Sequence, residues 1–180
     1  MKSLKSETAS GRMGIARTAP GGAVLQAQAE LMFPTGGQGL YEVTGEIDSW
    51  LEAQGLSGGL LTLFLKHTSA SLLIQENIDP DVLHDLNTFF RRLVPEDGLS
   101  YRHDAEGPDD MPAHIRAALT QTHLSIPVEG SRMALGRYQG VFIYEHRTGR
   151  TDRKVAAHWL AVAEAEDAPA MPRRTNGPAS

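Results

Sequence analysis

Residues 60–66, Leu-Leu-Thr-Leu-Phe-Leu-Lys, form an almost unbroken apolar run with the length of one strand. Such a run is the mark of a strand buried on both faces, so it commits the chain to a sheet with cover on either side. A second strand is expected at 71–77, just beyond His67-Thr68-Ser69. It places Leu72, Ile74 and Glu76 on one face and Leu73, Gln75 and Asn77 on the other. Further strands are expected at 23–33, closed by the turn cluster 34–39, and near 123–128, 132–135, 138–146 and 153–162.

The clearest helix opens at Asp79-Pro80. Asp79 can accept from the free N–H groups of the first turn, and Pro80 fits the first helical position, where its missing donor costs nothing. Val82, Leu83, Leu86, Phe89, Phe90 and Leu93 then fall on one stripe, with Asp85 at its edge and His84 pointing away. Pro95 ends it. A second helix is expected at about 111–120, with Ile115, Ala118 and Leu119 inward and His114 at the stripe's edge. A shorter one is expected within 45–54, stopped by Gly55. Two main helices among about seven mostly antiparallel strands predict an α+β domain.

Residues 1–21 and 167–180 carry no period and read as disordered tails, leaving 22–166 as a single domain. With no cysteine, disulfides, thiolate zinc sites and cysteine nucleophiles are excluded, and a reducing compartment fits. Lys2, Lys5, Arg12 and Arg17 have no apolar stretch behind them, so no secretory signal is read and the cytoplasm is the expected location. No run has the roughly 18 apolar residues of a membrane span. A net charge of −5 gives no global field for a polyanion, so nucleic acid is not an expected partner.

Three stretches carry candidate chemistry. His67-Thr68-Ser69-Ala70-Ser71 lies at a strand end, where hydroxyls and N–H groups hold phosphate oxygens and His67 can act as a proton donor or metal ligand; a plain polar turn is equally compatible. In Glu76-Asn77-Ile78-Asp79, Asp79 is explained as a cap, whereas Glu76 is in phase with buried residues and needs a cation or donors. The loop 96–110 carries six carboxylates against one Arg, and His103, Glu106 and His114 offer ligands for Zn²⁺ or Mg²⁺. For this loop an acidic surface cap on a helix is the competing reading, and His114 fits a core position equally well. Phosphate-loop, dinucleotide and serine-hydrolase motifs are absent.

Taken in order, His67-Thr68-Ser69-Ala70, Glu76-Asn77 with Asp79-Pro80, His103 with Glu106-Gly107, Ala113-His114, Ser125-Ile126-Pro127-Val128 and Leu135-Gly136 with Gln139-Gly140 form a recognisable string. It resembles the YjbQ-type family, also called the secondary thiamine-phosphate synthase family, over about 23–162. One departure is visible: Leu135-Gly136-Arg137-Tyr138-Gln139 stands where the family usually reads Leu-Gly-Thr-Trp-Gln. The resemblance implies a compact sandwich that assembles as a homotrimer. It also implies coupling of a pyrimidine diphosphate to a thiazole phosphate with loss of pyrophosphate.

On that basis His67, Glu76, Asp85 and His114 are the expected catalytic groups. Thr68, Ser69, Ser71, Asn77, Gly136 and Gln139 are expected to meet a small phosphorylated substrate. A divalent metal, Mg²⁺ or Zn²⁺, is expected on His67, His103, His114 and Glu106. The alternatives are a metal-dependent hydrolase of a small phosphorylated metabolite and a trimeric small-ligand binding protein with incidental activity.

Overall fold

The computed structural model describes residues 12–17, 23–97 and 101–162. Among them are nine strands and three helices: β1 (Arg12–Arg17), β2 (Ala23–Thr35), β3 (Gly39–Glu42), α1 (Thr44–Glu52), β4 (Gly59–Leu65), β5 (Ala70–Glu76), α2 (Pro80–Leu93), α3 (Asp110–Leu119), β6 (His123–Glu129), β7 (Arg132–Met133), β8 (Gln139–Glu145) and β9 (Thr151–Val162). Six strands form one sheet in the order β1-β2-β9-β4-β6-β7, and three form a second in the order β3-β8-β5. All pairings are antiparallel. The fold is α+β, as expected.

The inward residues of both sheets merge into one core. Leu61, Leu63 and Leu65 of β4 and Val155, Ala157 and Trp159 of β9 meet Leu72 of β5, Val141 and Ile143 of β8, and Ile47, Trp50 and Leu51 of α1. The sheets are stitched together at one end, where Leu65 N donates to Thr122 O at 2.8 Å and Leu72 N donates to Gln121 O at 2.7 Å. That seam carries the site described below.

Several expectations change. β4 alternates rather than being covered on both faces: Leu61, Leu63 and Leu65 are buried, but Leu60 is 43% and Phe64 49% exposed. No helix among the described residues covers that outer side. Arg12–Arg17 fall within the expected tail, yet they pair with residues 23–28 of β2. The rest of the expected N-terminal tail, apart from this strand, and all of 167–180 lie outside the described residues. Part of the expected turn cluster is strand, since β2 continues through Pro34 and β3 begins at Gly39. Helix α2 starts on its Asp79 cap, whose Oδ1 accepts from Asp81 N at 2.9 Å, but none of its residues is fully buried.

Helix α3 turns a different face inward. Pro112, Ala113, Arg116 and Ala117 are buried, whereas Ala118 and Leu119 are exposed. The reason is Arg116. Its guanidinium donates to Glu96 Oε1 at 2.9 Å and to Val94 O at 2.6 Å, and an arginine so partnered can be buried at the core side of a helix.

Candidate metal centre

Helix α3 begins inside the acidic loop. Asp110 in its first turn and His114 one turn later share a face, because residues four apart on a helix are neighbours. The loop returns His103 to the same spot. His103 Nε2 lies 2.8 Å from Asp110 Oδ2 and His114 Nε2 lies 3.7 Å from Asp110 Oδ1. One ligand atom from each residue can be chosen so that all three lie within 4.8 Å of one another. Asp110 is only 2% exposed. Its Oδ2, despite the nearby imidazole, finds no hydrogen-bond partner among the described residues. Two donor atoms at close range without hydrogen-bond alignment suit a shared cation, so these three residues fit a divalent metal.

The surrounding bonds orient the three groups. His114 Nδ1 lies 3.0 Å from Thr68 O. Arg147 contacts Asp110 Oδ1 through Nη1 and donates Nε to Asp109 Oδ2 at 3.2 Å and Nη2 to Glu106 O at 2.8 Å. Asp109 precedes the helix but does not cap it, because its carboxylate accepts from Thr148 N and Thr148 Oγ1 at 2.8 and 2.9 Å. Burial opposes its ionisation, but the Thr148 donors and Arg147 outweigh that and hold its carboxyl below the usual range.

Of the expected ligands, His103 and His114 meet here; His67 and Glu106 do not, and those two assignments are corrected. His67 Nε2 accepts from Lys154 N at 2.9 Å, and its Nδ1 faces Arg153 Nη1 at 3.2 Å. An N–H can only donate, so Nε2 is the acceptor, and neither ring nitrogen keeps a free lone pair for a metal. Burial and then Arg153 push the His67 pKa down. Arg153 itself pairs with the buried Glu145 at 2.5 Å, and Thr35 donates to the same carboxylate at 2.6 Å. Glu106 turns its carboxylate outward, 3.6 Å from Arg147. Asp110 is absent from the expected ligands. Its signal is the four-residue spacing to His114 across a helix start.

The expected ligand-contacting residues divide into separate places. Thr68 and Ser69, with Phe64, Leu65, Lys66, His67 and Thr122, line an open cleft of about 570 Å³ beside His114. Ser71 is fully buried and its Oγ lies 2.7 Å from His146 Nε2, so its assignment to a substrate is corrected. Burial, then Arg116, pushes the His146 pKa down to about 3. Asn77, Gly136 and Gln139 sit at the opposite end of β5 and β8, about 20 Å along the strand by its rise per residue. There Asn77 Nδ2 donates to Glu42 at 3.1 Å and Gly136 N donates to Gln139 Oε1 at 2.7 Å. Glu76 pairs with Gln139 at that same far end. Glu76 therefore lies at the strand end away from Thr68 and His114, and its expected catalytic role beside His114 is corrected. Asp85 is exposed on α2.

Comparison with known proteins places this arrangement in context. The family model described as "UPF0047 protein YjbQ-like" matches residues 29–162. The UPF0047 protein sll1880 of Synechocystis is 52% identical over 133 residues, 74% of this chain and 90% of that protein. The UPF0047 protein YjbQ of Escherichia coli O157:H7 is 43% identical over 131 residues, 72% of this chain and 94% of its own length. The solved structure of the conserved hypothetical protein TT1486 from Thermus thermophilus superposes with a TM-score of 0.66 at 34% identity, covering 73% of this chain and 99% of that one. These relatives are described as UPF0047 or hypothetical proteins of a family of unknown function. The expected thiamine-phosphate synthase activity is corrected accordingly: the similarity supplies a fold and a family, and no synthase.

Proposed function

The chain belongs to the UPF0047 YjbQ-like family, and within it we propose that this protein works through a divalent-metal centre on His103, Asp110 and His114. One observation carries the reading: the buried Asp110 Oδ2 has no hydrogen-bond partner among the described residues and lies 2.8 Å from His103 Nε2. A buried carboxylate oxygen left without a hydrogen bond is costly, and a cation shared with the neighbouring imidazole removes that cost. Two imidazoles and one carboxylate suit Zn²⁺ better than Mg²⁺, which prefers oxygen ligands and keeps its waters. When bound, such an ion supplies Lewis-acid polarisation of an oxygen at its open positions.

The chain's own residues do the positioning. Thr68 O fixes which nitrogen of His114 carries the proton. Lys66, Thr68 and Ser69 line the adjoining cleft, with the Lys66 ammonium paired to Glu30 at 2.7 Å, and the ligand we assign to the cleft is a small phosphorylated molecule.

A homotrimer belongs to the same proposal. Leu60, Phe64, Leu160 and Met32 are exposed together on the outer face of the six-stranded sheet, which supports burial against other copies. A cytoplasmic location agrees with a chain free of cysteine. No helix among the described residues is long and apolar enough to cross a membrane.

Calorimetric titration of the full-length protein, stripped of metal, tests the centre. One Zn²⁺ per chain is expected, bound far more tightly than Mg²⁺, with inorganic phosphate binding more tightly to the zinc-loaded form. No uptake of Zn²⁺, Mn²⁺ or Mg²⁺, or unchanged Zn²⁺ affinity in Asp110→Ala, would overturn it.

A further inference from the structure

We propose that Arg147 is a positioning residue that makes Asp110 a one-oxygen ligand and so sets which cations the centre accepts; this rests on the metal reading above. The guanidinium spends its donors on three neighbours. Nη1 contacts Asp110 Oδ1, Nε donates to Asp109 Oδ2 at 3.2 Å, and Nη2 donates to Glu106 O at 2.8 Å. The backbone around it is held as firmly. Arg147 N donates to Glu145 Oε1 at 2.9 Å, and the next residue, Thr148, clamps Asp109 through both N and Oγ1. Two chain segments far apart in sequence, 106–110 and 145–148, are thereby locked around one carboxylate.

The consequence is an asymmetry between the two oxygens of Asp110. Oδ1 is engaged by a charged donor, whereas Oδ2 has no hydrogen-bond partner among the described residues and lies 2.8 Å from His103 Nε2. A planar fork fixes a carboxylate's rotation as well as neutralising it, which a flexible ammonium does not. With Oδ1 occupied, the protein offers three donor atoms: Asp110 Oδ2 and the Nε2 atoms of His103 and His114. Few donors, two of them nitrogen, suit a four-coordinate ion that keeps an open position. They disfavour Ca²⁺, which gathers six to eight oxygens and uses bidentate carboxylates. Arg147 bonds Asp109, Asp110 and Glu106 O, and of the three proposed ligands its bonds reach Asp110 alone, so its action would run through Asp110.

The test measures metal affinity and stability on the same full-length samples, wild type against Arg147→Met and Arg147→Lys. Zn²⁺ affinity by chelator competition should fall about 10- to 100-fold in Arg147→Met, the range known for loss of residues that orient metal ligands. It should recover only in part in Arg147→Lys, and the preference for Zn²⁺ over Ca²⁺ should narrow. Urea melts of the metal-free proteins separate positioning from mere structural support, because a supporting role lowers the melting midpoint while leaving affinity below it unchanged. Arg147→Met that binds Zn²⁺ within two-fold of wild type overturns this inference and leaves the centre standing. Should Arg147→Met fail to fold, Arg147→Lys decides alone: wild-type affinity and selectivity in it overturn the inference. A wild-type protein that takes up no metal overturns the centre and this inference with it.

Discussion

His114 and Thr68 are joined across 3.0 Å by the imidazole Nδ1 and the carbonyl oxygen. A carbonyl can only accept, so Nδ1 carries the proton and neutral His114 keeps its lone pair on Nε2, the nitrogen on the side of Asp110. The loop after β4 thus decides the chemical form of a residue on α3.

His114→Ala is expected to lower Zn²⁺ affinity by about 100-fold or more while changing stability by no more than about 1 kcal/mol, since its side chain is only partly buried. His67→Ala should behave in the opposite way. It removes the acceptor of Lys154 N, so stability drops while Zn²⁺ affinity stays within a few-fold. Chelator competition and urea unfolding on both variants check the contrast.

Acid should destabilise the protein through His146. The folded state holds this ring neutral with a pKa pushed down to about 3, against an ordinary value of 6.5. Between those values the unfolded chain binds more protons. Its contribution is therefore complete above about pH 6.5 and is lost as pH falls toward 3, at about 1.4 kcal/mol per unit. Glu145, held below its usual range by Arg153 and Thr35 against burial, adds a loss of the same sign at more acid pH. Urea unfolding at pH 7, 5.5 and 4 should show this slope, and His146→Gln should flatten it between 6.5 and 4.5.

Gly59 has φ of +132°, and a Cβ there would lie 2.0 Å from Leu160 O on the neighbouring strand. Neither the backbone conformation nor the space admits a side chain. Gly59→Ala should cost about 2 kcal/mol or more. An unchanged urea midpoint would contradict this account of the β4–β9 pairing.

Leu60→Glu places a charge on the outer sheet face beside Leu160, its partner on β9. A homotrimer that buries this face should dissociate, with light scattering giving the mass of one chain and circular dichroism unchanged. A wild-type protein that is already monomeric at micromolar concentration defeats the assembly.

Local signals are readable in the sequence. Asp79 caps α2 through an acceptor and a donor on neighbouring residues, and the α+β pattern follows from periodicities of 2 and 3.6. The errors come from distant partners. Arg116 enters the core because Glu96 and Val94, far behind it in the chain, supply acceptors, so the amphipathic pattern points to the wrong face of α3. Arg12–Arg17 lack strand alternation and become a strand only by pairing with β2. His67 looks like a ligand until β9 brings Arg153 and Lys154 against both ring nitrogens. Asp110 is one acid among six in its loop, and its burial depends on Arg147, 37 residues later.

β9, the last described strand, lies between β2 and β4 rather than at an edge. It pairs with twelve residues of β2 on one side and six of β4 on the other, and it carries the fully buried Trp159. During synthesis, β2 and β4 must therefore wait with unpaired backbone edges until residues 151–162 leave the ribosome. A nascent chain stopped before Thr151 has its larger sheet in two fragments, β1-β2 and β4-β6-β7, with no strand between them, exposing edges of the kind that recruit chaperones or aggregate. Completion of the fold is a late event, governed by the longest-range contacts in the molecule.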